Sequence, residues 1–158
     1  MQIMKLIKLF ILSFVLLPKR GMSQDLLVKP DSSILLKIEN GKTLLKDCSG
    51  SQYQSLVDSF WIPGNEDYEK LESNYYKLAS QIPNPSNYII QYIGIILEGK
   101  RCIYINAFNK HALSEAIRVH KDLKSLPVVF CGGGSSFWRV LFETANKEFI
   151  HLEINAPK

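Results

Sequence analysis

The sequence predicts an α+β fold: an antiparallel sheet with helices packed on one face. Three observations carry this. Tyr88–Phe108 reads as two arms rich in Ile and Tyr around a Glu98-Gly99 turn. Residues 138–154 alternate apolar and polar on both sides of Ala145-Asn146-Lys147, as a second hairpin would. Between residues 52 and 82 the apolar spacing changes to steps of three and four, the period of a helix.

In the first hairpin a two-residue turn sets Leu97 opposite Lys100 and Gln91 opposite Asn106. One face then carries Ile90, Tyr92, Gly94, Ile96, Ile103, Ile105 and Ala107, and should meet the core. The other carries Ile89, Gln91, Ile93, Ile95, Leu97, Lys100, Cys102, Tyr104, Asn106 and Phe108, and is expected to be mixed and wetter. A slip of one residue would exchange the two sets. In the second hairpin, shared parity pairs Thr144 with Glu148 and Phe142 with Ile150. Arg139, Glu143, His151 and Glu153 are then expected on the wetter face.

The remaining elements follow in order. Ile34–Glu39 and Lys42–Leu45 flank Asn40-Gly41 and read as a small two-stranded ribbon. Ser51 caps an expected helix over 52–61, which Pro63-Gly64 ends. Asn65 caps a second over 66–81, where Glu66 and Asp67 suit the positive N-terminal end. Its Tyr68, Leu71, Tyr75, Leu78 and Ile82 form the stripe expected to cover the first hairpin. A further helix is expected over 112–122, then a short strand over 126–131.

Residues 1–23 read as a secretory signal peptide, leaving one domain over 24–158. Lys5 and Lys8 precede a short apolar run, Leu9–Leu17, well under the roughly 20 residues that cross a bilayer. Export implies a periplasmic or extracellular protein, and no later segment reads as transmembrane. The formal charge of +4 resides in this leader. Removing Lys5, Lys8, Lys19 and Arg20 from the 19 basic residues leaves 15 against 15 acidic ones. A neutral mature chain has no electrostatic footprint for nucleic acid.

Two stretches carry a resemblance. Gln91, Tyr92, Gly94, Gly99, Lys100, Ile105, Asn106, Ala107 and Phe108, then Cys131, Gly133, Gly134, Phe137 and Trp138, resemble a group of small exported proteins of unknown function from Gram-negative bacteria. Ile90, Glu98 and Gly132 depart from that group's usual Arg, Asn and Asp. The resemblance covers roughly the last 70 residues. It implies the fold and the export, and it brings no known activity.

Candidate chemistry is sparse. Export permits disulfides, and Cys102 and Cys131, both on expected strands, form the expected bridge; burial of all three cysteines as small apolar residues is the alternative. The Gly132–Gly134 run could cradle an anion, but a phosphate loop needs a following helix and Lys. A strand follows here, so a turn is the plainer meaning. The three histidines lack metal-ligand spacing, so neither a metal nor another cofactor is expected. The most suggestive constellation is Gln91, Asn106, Tyr104 and Lys100, a ligand-binding set on the mixed hairpin face. Buried amides there need partners, and either a small ligand or an internal amide pair supplies them. The expected function is therefore a non-catalytic exported binding or interaction module, with an envelope protein, peptide or glycan as its partner. The alternative is a small thiol hydrolase using Cys131 with a histidine.

Overall fold

The computed structural model describes residues 30–46, 48–82, 84–113, 122–123 and 126–155, the side chains of Cys48 and Ser49 excepted. The expected signal peptide and most of the expected 112–122 helix lie outside the described residues. The described chain forms a six-stranded, mostly antiparallel sheet with two α-helices. The strands are β1 (Ser32–Leu35), β2 (Val57–Trp61), β3 (Tyr88–Leu97), β4 (Lys100–Asn109), β5 (Phe137–Glu143) and β6 (Glu148–Ile154). The helices are α1 (Ile38–Leu44) and α2 (Asn65–Asn74), and a 3-10 turn, Tyr75–Leu78, continues α2. The sheet order is β1-β3-β4-β5-β6. The short β1 (parallel) and β2 (antiparallel) share the outer edge of β3, one at each end.

The β3–β4 hairpin has the register read from its sequence. Leu97 pairs with Lys100 and Gln91 with Asn106. Glu98 (φ 49°) and Gly99 (φ 76°) both take the left-handed backbone that a tight two-residue turn demands. Asp58 of β2 steadies the turn by accepting the Gly99 N–H at 2.7 Å. Ile90, Tyr92, Ile103, Ile105 and Ala107 face Leu71, Tyr75, Leu78 and Ile82 of the α2 segment in one apolar core. Trp138, Val140 and Phe142 extend it across β5. The helical stripe therefore covers the face its spacing predicts.

Four expectations are corrected. Asn40-Gly41 is no hairpin turn but lies within α1, which packs on the other sheet face. A Cβ at Gly41 would fall 1.3 Å from the Ile93 Cδ1, so the glycine permits close helix–sheet contact. Residues 52–61 are not a helix. A 3-10 turn over Cys48–Tyr53 leads into β2, because the upper edge of β3 offers its backbone there and β-branched and aromatic side chains suit a strand. Trp61 then locks the end of β2, its Nε1 donating to Ile95 O (3.1 Å) and Cys102 O (3.2 Å). Residues 126–131 join no strand ladder.

The fourth correction concerns the second hairpin. Glu143 pairs with Glu148, Phe142 with Phe149 and Leu141 with Ile150, one residue away from the expected register. A bulge then intervenes, and Arg139 pairs with Glu153 and Trp138 with Ile154, in the expected register. His151, at φ 56°, is the left-handed residue within the bulge. Phe149 thus joins the α2-side core, while Ile150 packs on the opposite side.

Candidate binding surface

The second face of the sheet is not wet. Leu36, Leu44, Leu45 and Tyr53 cover Ile93, Ile95, Leu97, Cys102, Tyr104 and Leu141 at one end. Phe108, Phe137 and Leu113 gather with Val128, Leu123 and Phe130 at the other. Between them runs a row of polar side chains across adjacent strands. Gln91 of β3 pairs with Asn106 of β4, which pairs with Arg139 of β5. All three are buried, with exposures of 0%, 4% and 4%.

This row grips the main chain of Leu123 and of residues 126–132, a strap that crosses the sheet outside any strand ladder. Gln91 Nε2 donates to Leu123 O (2.9 Å) and Leu126 O (2.8 Å), and its Oε1 accepts the Val128 N–H (2.9 Å). Asn106 Nδ2 donates to Val128 O (2.8 Å) and to Gln91 Oε1 (3.3 Å). Arg139 Nη2 donates to Phe130 O (2.6 Å), and its Nη1 donates to Asn155 Oδ1 (2.7 Å). Asn155 Nδ2 completes the row on Phe130 O (2.6 Å) and Gly132 O (2.9 Å). The strap does without a strand ladder because side chains stand in for one. Each buried amide and guanidinium meets the partners its burial demands.

Of the four expected ligand contacts, the structure brings only Gln91 and Asn106 together, and their partner is this chain's own backbone. Tyr104 shares their face but is fully buried against Tyr53, ring centroids 6.0 Å apart. Its hydroxyl has no hydrogen-bond partner among the described residues, and burial pushes it above the ordinary tyrosine range. Lys100 stands at the hairpin tip, six residues from Asn106, and reaches Glu143 at 3.6 Å. Arg139 and Glu143, expected on a solvated strip, are buried. Arg139 becomes legible once Asn106 is paired across β4–β5; Asn155 does not, because it lies just past the end of β6 and its partners Phe130 O and Gly132 O belong to the strap.

The expected Cys102–Cys131 bridge is not formed. Cys102 is free and buried, whereas Cys131 is disulfide-bonded. The carbonyls flanking Cys131 are held by Asn155, beside Phe137, and Phe137 pairs with Phe108. That level is some four to six residues along β4 from Cys102, roughly 13–20 Å, against a limit of about 7 Å between bridged Cα atoms. Burial, with Glu143 nearby, pushes the Cys102 thiol up to about 11. A disulfide-bonded Cys131 carries no thiolate, so the hydrolase reading lacks its nucleophile. Gly133 (φ 95°) and Gly134 (φ 56°) make a turn into β5. Among the described residues no three His, Cys, Asp or Glu cluster as a metal site, and no helix is long and apolar enough to cross a membrane.

Open concavity lies instead along β1. A cavity of about 320 Å³ is lined by Ser33, Leu35, Tyr68, Glu72 and Tyr92. A second, of about 270 Å³, continues past Leu35 to Leu36, Lys37, Ile38, Glu39 and Ile62. Leu35 and Ile62 are 41% and 70% exposed, large apolar side chains on a shared rim. Tyr92 forms the floor; its hydroxyl bonds to that of Tyr75 and accepts from Ser33 Oγ at 3.3 Å. Burial raises the Tyr92 hydroxyl to about 12 and the Tyr75 hydroxyl well above its ordinary value, so both stay neutral. This surface is not legible in the sequence, because Tyr68 follows the stripe of a core helix and Tyr92 falls on the core face of β3. Comparison with family models, with curated proteins and with solved structures finds no significant match to this chain.

Proposed function

We propose that this protein is an exported, non-catalytic binding module that takes its partner on the β1 side of the sheet. The observation that carries this reading is the pair of adjoining cavities around Leu35, lined by neutral tyrosines and exposed apolar side chains. The amide row is already saturated by the strap, so it offers no free donor to a ligand. Export is supported by the basic-then-apolar leader and by a disulfide at Cys131, a bond that persists in oxidising compartments.

The test is a chemical-shift screen of the isotopically labelled protein against short peptides, oligosaccharides and small amphiphiles. Saturable shifts are expected at Ser33, Leu35, Ile62, Tyr68 and Glu72, with none at the buried Gln91 and Asn106. Shifts confined to other surfaces, no binder in any panel, or turnover of ester or amide substrates would each overturn the proposal.

A further inference from the structure

The sheet has three outer strand edges, and they are treated differently. β6 carries Glu148, His151 and Glu153 and is bent by the bulge at His151. β2 carries Asp58 and a register shift between Val57 and Ser59. Charges and bulges are how an edge is kept from pairing with a foreign strand. β1, Ser32-Ser33-Ile34-Leu35, has no charge, no proline and no bulge, and its pairing with β3 is regular over four residues. Among the described residues it has a strand on one side only. Its backbone groups on the other side are a template for one more strand.

The two cavities adjoin this same strand. Ser33 and Leu35 line one, Leu35 and Leu36 the other. An edge offering main-chain bonds, flanked by hollows for side chains, is the arrangement by which an extended peptide is added to a sheet. The hollows are predominantly apolar and aromatic, and the strand itself is neutral. The occupant is therefore selected by apolar side chains and an extended backbone rather than by charge.

Resting on the binding-module reading above, we propose that β1 takes up an extended, proline-free segment of a partner protein as a seventh strand, with apolar side chains of that segment seated on either side of Leu35. The chain already holds a segment of its own, 126–132, on the far face, outside any strand ladder. It does so through side chains; β1 would do so through its backbone.

The experiment selects displayed random peptides on the intact protein, then measures the enriched peptides against Leu35→Lys and Ile62→Lys. Both positions are exposed, so both variants should fold, and far-ultraviolet dichroism checks it. Enriched peptides should carry apolar residues at alternate positions. Leu35→Lys should weaken them about tenfold or more, the worth of one well-buried leucine contact. Amides of residues 32–36 should gain exchange protection on binding, and Glu148→Gln on β6 should change nothing. Enriched peptides indifferent to Leu35→Lys would overturn the proposal. So would a concentration-dependent dimer broken by Leu35→Lys, which would assign the edge to a second copy of this chain. No enrichment, together with saccharide or amphiphile shifts at the cavities, would sink the peptide while leaving the binding module standing.

Discussion

The two faces of this sheet are covered by different physics. On one, the α2 segment presses Leu71, Tyr75, Leu78 and Ile82 onto Ile90, Tyr92, Ile103 and Ile105, a contact made by area and shape. On the other, half of the cover is the strap, held by directed bonds from Gln91, Asn106, Arg139 and Asn155 to its carbonyls and one N–H. Apolar contact tolerates a shifted neighbour; a row of hydrogen bonds fixes one register and leaves orphans when one member is lost. The helix side should thus fail globally and the strap side locally.

The largest effect is expected on the helix side. Leu71 is fully buried in the centre of that core. Leu71→Ala should cost about 2–5 kcal/mol by lost transfer energy and the cavity left behind. Denaturant unfolding should stay a single transition with a lower midpoint. A loss below about 1 kcal/mol would mean the helix is a loose cover, and the contrast between the faces would go with it.

The strap side comes next. Gln91→Leu removes two donors and one acceptor at once, leaving Leu123 O, Leu126 O and the Val128 N–H without this partner. An orphaned buried group costs about 1–3 kcal/mol, but here the strap can lift and let water in. Hydrogen exchange should quicken at Val128 and its neighbours, while β3 and β4 amides change far less. Uniform acceleration across the sheet would show that the strap and the core open as one unit.

The sequence made the first contrast readable and hid the second. Two local signals, the Glu98-Gly99 turn and the period-two arms, agree on one register, so Gln91 opposite Asn106 could be read directly. The tyrosine stripe likewise identified its own cover. What failed depended on distant partners. Asn40-Gly41 carries a hairpin signal, but Ile93, 52 residues on, needs a glycine under it. The bulge at His151 has no glycine to announce it. The strap reads as a short apolar strand because Val128, Val129 and Phe130 look like one; only the facing row of amides decides that its backbone bonds go to side chains instead. The cavities beside β1 escaped for the same reason, since Leu35 and Ile62 meet only in the folded chain.

The smallest effect tests whether burial, rather than polarity itself, makes the strap row matter. The helix side also has a polar tie: Lys77 Nζ donates to Glu148 Oε1 at 2.7 Å and to Lys147 O at 2.8 Å. Its partners sit at the solvent rim, with Glu148 57% exposed. Water and salt compete there, so Lys77→Met should cost no more than about 1 kcal/mol. The difference from the unaltered protein should shrink further as salt is raised. Gln91→Leu should keep its effect in the same salt, because Gln91 is an uncharged amide and both it and Val128 are buried. If the two variants instead lost stability alike and responded alike to salt, hydrogen bonds on the two faces would be equivalent. The strap would then be held by Val128, Phe130 and Phe137 packing alone.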